Sequence, residues 1–167
     1  MIGMVLVTHG ALGENLKRAM EHVVGPQAQL AALNVEPGDD PVLRRADLQS
    51  VIAGVDTGDG VLLLTDMFGS TPSNLAISTM EPDRVEVLAG VNVPMLVKLA
   101  QIRNGHTLAE CAALAEGAGR KYISTASHLP PQCLGGARSC LLGDRVPDMP
   151  APPSAAYRAA PRRVAAG

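Results

Sequence analysis

A histidine, His9, closes the apolar run Val5-Leu-Val-Thr8, and a glycine follows it. An aspartate, Asp66, follows a second apolar run, Gly60-Val-Leu-Leu-Leu-Thr65, and opens the stretch Asp66-Met-Phe-Gly-Ser-Thr-Pro72. If the two runs are adjacent strands, Asp66 and His9 come within reach of each other. An aspartate that accepts from one imidazole nitrogen fixes the tautomer and leaves a lone pair on the other, which makes a positioned nucleophile. The Ser70 and Thr71 hydroxyls, with the amides that open the next helix, would form an anion cradle beside it, and a phosphoryl group suits such a cradle best. Histidine, carboxylate and cradle together suggest a phosphohistidine. Each residue also has a plainer account. His9 fits a buried, hydrogen-bonded strand end, Asp66 a turn or helix-capping residue, and Thr71 a helix N-cap.

The elements that must position these residues follow from hydrophobic periodicity. Ile2–Thr8 is a strand-like run, after which Leu12, Leu16, Met20 and Val23/Val24 recur at helical spacing until Gly25-Pro26. Leu30–Val35 reads as a second strand with a turn at Pro37-Gly38. Asp40 before Pro41 is an N-cap followed by proline at the first helical position, and that helix runs to about Ala53. Gly60–Thr65 is a third strand. Thr71-Pro72 opens a helix to about Thr79, and Val85–Ala89 is a fourth strand. Pro94–Ile102 and Leu108–Gly117 read as helices, the second opened by the capping box of Thr107 and Glu110. Tyr122–Ala126 has β preference and is expected to be an edge strand.

Continuous apolar strands alternating with helices predict an α/β fold: a doubly wound, mainly parallel sheet with helices on both faces. Ligands of such sheets bind at the carboxyl ends of the strands, so the strand exits hold the candidates. Beside His9, Asp66 and Thr71 these are Gly10, Phe68, Gly69, Ser70 and Asn92 as phosphoryl or partner contacts. Asn92, in Gly90-Val-Asn-Val-Pro94, also reads as turn chemistry. Phe68, the single phenylalanine, is read two ways, as packing beneath its loop or as an apolar docking contact. His22, His106 and His128 are assigned to solvent.

Composition excludes several classes. A chain of 167 residues that is 47% hydrophobic holds one domain with a core. From Pro130 the periodicity stops, so residues 1–129 are expected to be the domain and 130–167 a mostly disordered Pro/Ala/Arg-rich tail, with Cys140-Leu-Leu142 as a weak packing segment. A net charge of −2 with scattered Lys and Arg, and 2% aromatics, argue against a nucleic-acid or anionic-membrane partner. No apolar run approaches the roughly 20 residues that span a bilayer, and the N-terminal residues lack the pattern of a secretory signal. Cys111, Cys133 and Cys140 are odd in number and lack CxxC spacing, which suggests free thiols in a cytoplasmic protein and no zinc site. Neither GxxxxGK[ST], GxGxxG nor HExxH occurs. No metal or cofactor is therefore expected, and phosphate must reach His9 from another protein or a small phosphodonor.

Three motifs in order, "VTHG" at the end of the first strand, "LLTDMFGSTPSNLA" at 63–76 and "VLAGVNVPML" at 87–96, resemble one family over roughly residues 1–128. It is the enzyme IIA domain of the mannose (mannose/fructose/sorbose) family of the bacterial phosphoenolpyruvate-dependent sugar phosphotransferase system. The resemblance implies a phosphocarrier in which His9 accepts a phosphoryl group from phosphorylated HPr and passes it to a IIB component. It implies that Asp66 hydrogen-bonds the active histidine and that Thr71 lies beside the phosphoryl site. It further implies a homodimer in which a C-terminal strand is exchanged onto the partner, a role that fits Tyr122–Ala126. Many members carry Trp-Gly-Gly-Ser-Pro where this chain has Phe68-Gly-Ser-Thr-Pro72. The tail does not resemble a fused IIB domain, so the acceptor is expected on a separate chain.

Two rivals stand beside the phosphocarrier. One is a regulatory IIA-like protein whose phosphorylation state at His9 controls target binding without sugar transport. The other is a small-molecule-binding α/β domain in which His9 only hydrogen-bonds a ligand. The related subunit that feeds dihydroxyacetone kinase typically reads Met-Gly-Ser-Ala in the third-strand loop, unlike Phe68–Asn74.

Overall fold

A computed structural model describes residues 1–128. Four strands and five helices alternate: β1 (Gly3–His9), α1 (Leu12–Val24), β2 (Leu30–Val35), α2 (Pro41–Val55), β3 (Val61–Thr65), α3 (Thr71–Ile77), β4 (Val85–Ala89), α4 (Val93–Ile102) and α5 (Leu108–Lys121). A short 3₁₀ turn over Ala126–His128 follows. All strand pairs are parallel and the order is β2-β1-β3-β4. The chain moves from β1 to one side for β2, then crosses back for β3 and β4, so β1 and β3 flank the topological switch point. Helices cover both faces, as the sequence predicts.

The apolar runs are continuous because each strand is covered twice. Ile2, Met4, Leu6, Leu62 and Leu64 pack with α1, α4 and α5, while Val5, Val7, Leu63 and Val61 pack with α2 and α3. Leu62, Leu63 and Leu64 are wholly buried, each contributing about 2 kcal/mol of hydrophobic stabilisation. Gly13 lets α1 lie close on β1. A Cβ there would stand 2.9 Å from Thr8 Oγ1, and in its absence the Gly13 N–H donates to that oxygen at 2.7 Å.

Side chains open four of the helices: Asp40 caps α2, Ser70 α3, Asn92 α4, and Thr107 with Glu110 forms the capping box of α5. The cap of α3 departs from the expectation. Ser70, not Thr71, accepts from the Ser73 N–H, which puts Thr71 and Pro72 inside the first turn. Proline is tolerated at either early position because neither N–H would have an intrahelical acceptor.

A second departure concerns Tyr122–Ala126. The last helix runs on to Lys121 with Tyr122 as its C-cap, and residues 122–125 join no strand of this chain's sheet. Strand propensity needs an edge to pair with, and among the described residues this segment lies beside neither β2 nor β4. The expected tail at 130–167, with Cys133, Cys140 and the 140–142 segment, lies outside the described residues. Cys111 is a buried free thiol. Among the described residues no helix is long and apolar enough to cross a membrane.

The pole opposite the strand exits is tied by Arg103. This arginine is 1% exposed, and its guanidinium donates to the carbonyls of Ile2, Ala28 and Gln29 and to Gln27 Oε1. It joins the start of β1 to the α1–β2 connection.

Candidate functional site

His9 is the last residue of β1, one beyond the expected strand end, and the first of that strand to be exposed. β3 ends at Thr65, which is registered against Val7, so Asp66 leaves its strand beside the tip of β1. The expected contact is present. Asp66 Oδ2 lies 2.8 Å from His9 Nδ1 and also accepts the His9 backbone N–H at 3.0 Å. Its other oxygen accepts from the Met67 N–H at 2.9 Å. Burial works to raise the Asp66 carboxyl, but the His9 backbone N–H, the imidazole and the Met67 N–H outweigh it and hold the carboxyl below the ordinary 3.8.

An ionised carboxylate can only accept, so Nδ1 carries the proton of this bond. In the neutral ring the lone pair then resides on Nε2. The His9 side chain is 51% exposed and that of Asp66 13%, so the orienting group is sheltered while the ring is reachable. A histidine held this way is a positioned nitrogen nucleophile.

The other candidates divide. Gly10 adopts φ +49°, which favours glycine, and its N–H donates to the Val35 carbonyl at 3.1 Å. Gly69 turns the β3–α3 loop at φ +80°. Ser70 is expected in the cradle, yet its hydroxyl donates to the Met67 carbonyl at 2.7 Å and accepts from the Ser73 N–H. Capping and loop closure use it fully. Thr71 is exposed at the start of α3, and among the described residues its hydroxyl has no hydrogen-bond partner. Asn92 serves the turn reading. Its Oδ1 caps α4 through the Met95 N–H at 3.1 Å and its Nδ2 donates to the Gly119 carbonyl at 3.3 Å, so it holds α4 against α5.

Phe68 is 76% exposed and Met67 60%, which excludes packing beneath the loop and leaves an apolar projection next to Asp66. Leu12, at the start of α1, and Val42 and Leu43, at the start of α2, are exposed as well. A groove of about 480 Å³ runs between α2 and α3, with Thr71, Asn74 and Leu75 on one wall and Val35, Pro41 and Arg45 on the other. A larger cleft of about 1060 Å³ opens at the Arg103 pole and includes none of the His9 set. Of the candidate residues only Thr71 lines the smaller one, and neither hollow includes His9 or Asp66. Sequence reading places Glu36 at the exit of the second strand but gives it no role, though its Oε1 lies 3.7 Å from where a Cβ on Gly10 would stand; it misses Arg103, whose guanidinium is held by Ile2 and by residues 27–29. His106, assigned to solvent, is exposed but has its Nδ1 2.9 Å from the Ile102 carbonyl.

The family model for EIIA-man, described as PTS system fructose IIA component, matches residues 3–116. The mannose-specific EIIAB component of the PTS system of Escherichia coli strain K12 is 31% identical over 162 residues, covering 96% of this chain and 46% of that protein. The chain thus spans about half the length of the mannose-specific relatives it matches. The fructose-specific EIIA component of Bacillus subtilis strain 168 is 29% identical over 104 residues, covering 62% of this chain and 71% of that protein. Among solved structures, the mannose/sorbose-specific IIA subunit of the phosphotransferase system from Enterococcus faecalis superposes with a TM-score of 0.68 at 26% identity. It covers 77% of this chain and 96% of its own. The component EIIA from Streptococcus agalactiae shares the fold with a TM-score of 0.69 at 24% identity, over 77% of this chain and 100% of its own.

Proposed function

Because this chain belongs to the EIIA-man family of phosphotransferase-system IIA components, we propose that it is a phosphocarrier. On this proposal His9 takes a phosphoryl group from phosphorylated HPr and hands it to a IIB component, in the service of sugar uptake and phosphorylation in the cytoplasm. The observation that carries the proposal is the paired contact of Asp66 Oδ2 with the His9 backbone and ring.

The Nε2 lone pair attacks the phosphorus of the donor's phosphohistidine in line. The Nε2–P bond forms as the donor's N–P bond breaks, and that electron pair returns to the donor nitrogen. The Nδ1 proton stays in its bond to Asp66, which supports the ring as it becomes cationic. Charge spreading over the equatorial oxygens is met by the Thr71 hydroxyl and the nearby backbone amides, and positioning supplies most of the rate. Transfer to the acceptor is the same exchange in reverse. Phe68 and Met67 offer the donor and acceptor an apolar contact beside the reacting ring.

A homodimer belongs to the same proposal. It is supported by Tyr122–Thr125, which among the described residues joins no sheet and carries Ile123 at 78% exposure, and by the outer edge of β4, which has no strand beside it among the described residues. Sedimentation of the full chain tests it, a monomer counting against it.

The deciding experiment incubates the chain with phosphoenolpyruvate, enzyme I and HPr. Acid-labile, base-stable phosphate is expected on the chain and is expected to vanish in His9→Ala. Absence of label from the unaltered chain defeats the proposal. Addition of a IIB component should discharge the label, and a chain that labels but never discharges would be regulatory instead.

A further inference from the structure

Glu36 stands where the phosphoryl group would feel it. The β1/β2 register places His9 beside Val35, and the Gly10 N–H donates to the Val35 carbonyl at 3.1 Å, so the next residue on that side is Glu36. Its Oε1 lies 3.7 Å from the point a Cβ on Gly10 would occupy. Gly10 carries no side chain, so nothing stands between this carboxylate and the backbone leaving His9. Among the described residues the Glu36 carboxylate has neither a hydrogen-bond donor nor an ion-pair partner. Arg44, at the start of α2, is taken by Asp39 Oδ2 at 2.7 Å and Asp47 Oδ2 at 3.2 Å. Asp39 is itself committed, since the same Oδ2 also accepts the Glu36 backbone N–H at 2.8 Å. Among the described residues Glu36 is therefore a carboxylate without a counter-charge, on the β2 side of the tip of β1.

We propose that Glu36 tunes the phosphoryl-transfer potential of His9. A phosphoryl group on Nε2 carries close to two negative charges at neutral pH, and a carboxylate nearby raises the energy of the phosphorylated state relative to the free imidazole. The charge takes no part in making or breaking bonds. The Nε2–P bond still forms at the expense of the donor's N–P bond, and the electron pair returns to the donor. Glu36 shifts where that exchange comes to rest, keeping the group transferable onward. The proposal rests on phosphorylation of His9, and its test separates the two.

The measurement is the equilibrium of phosphoryl exchange between phosphorylated HPr and the full chain, for the unaltered protein, Glu36→Gln and Glu36→Asp, at low and high salt. Glu36→Gln is expected to move the equilibrium about 3- to 10-fold towards the phosphorylated chain at low salt. The shift should shrink at high salt, because exposed charges are screened, and Glu36→Asp should stay near the unaltered value. An equilibrium that Glu36→Gln leaves in place overturns the proposal. So does an equal shift in both variants, or a change in exchange rate alone, which would make Glu36 a steering charge for a cationic partner. If the unaltered chain takes no label from phosphorylated HPr, phosphorylation of His9 fails first and Glu36 has nothing to tune.

Discussion

One oxygen of Asp66 touches His9 twice, at the backbone nitrogen (3.0 Å) and at ring Nδ1 (2.8 Å). The backbone bond locks the carboxylate to the tip of β1, and the ring bond then inherits that fixed position. Orientation of the imidazole is in this way a property of the sheet, set by the neighbouring ends of β1 and β3.

Asp66→Asn should accordingly leave the fold intact while misdirecting the ring. An amide can donate as well as accept, so Nδ1 loses its obligatory acceptor and the tautomer with the lone pair on Nε2 is no longer favoured. Phosphorylation from HPr is expected to slow by about 10²- to 10⁴-fold with an unchanged far-UV circular dichroism spectrum. Labelling at the normal rate would remove Asp66 from the mechanism.

Acid should undo the same contact. Burial pushes the Asp66 carboxyl up, but the His9 and Met67 donors prevail and hold it below 3.8. Asp56 is held low chiefly by the Gly58 N–H, with Arg84 and the Gly60 N–H adding to it against burial. A carboxyl depressed in the folded state stabilises the fold at every pH above its unfolded value, and that contribution is lost as pH falls through the folded value. Stability is thus expected to hold from neutrality down to about pH 4 and to decline below it. Circular dichroism in an acid titration checks this, and Asp66→Asn should show a shallower decline.

Phe68→Ser tests the docking contact. The side chain is exposed, so thermal stability should not change, while the KM for phosphorylated HPr should rise about tenfold, as befits an apolar anchor at an interface. Equal KM values would leave Phe68 without a role in docking.

Arg103→Met probes the far pole. The change leaves the carbonyls of Ile2, Ala28 and Gln29 without their guanidinium donor, at a cost of about 1–3 kcal/mol. Thermal unfolding should move to lower temperature, whereas the labelling rate of the folded protein at 25 °C should match that of the unaltered chain.

Much of this was visible in local patterns. The bounds of β2 and β4 coincide with their apolar runs, and the Thr107–Glu110 capping box forms as its spacing requires. The β1–β3 adjacency that joins His9 to Asp66 follows from the general logic of doubly wound sheets. What was hidden depends on distant segments or on competition between neighbours. Ser70 and Thr71 can each cap a helix that begins near Pro72, and in the fold it is Ser70 that caps, its hydroxyl also donating to the Met67 carbonyl. Asn92 stands at a strand exit, and its bond to Gly119, brought close by the packing of α5, has no local signal. Arg103 sits in the polar run Arg103-Asn-Gly-His106 and reads as a surface residue, because its acceptors lie far away in sequence. Tyr122–Ala126 has strand-forming residues but pairs with no strand among the described residues.

The exposure of Phe68 has a practical corollary for spectroscopy. The chain contains one phenylalanine and no tryptophan, and that phenylalanine stands in solvent two residues from the carboxylate that grips His9. Its ring is a native single-site reporter. A fluorinated phenylalanine would add one ¹⁹F resonance two residues from Asp66, and any tryptophan signal in a mixture would belong wholly to the partner.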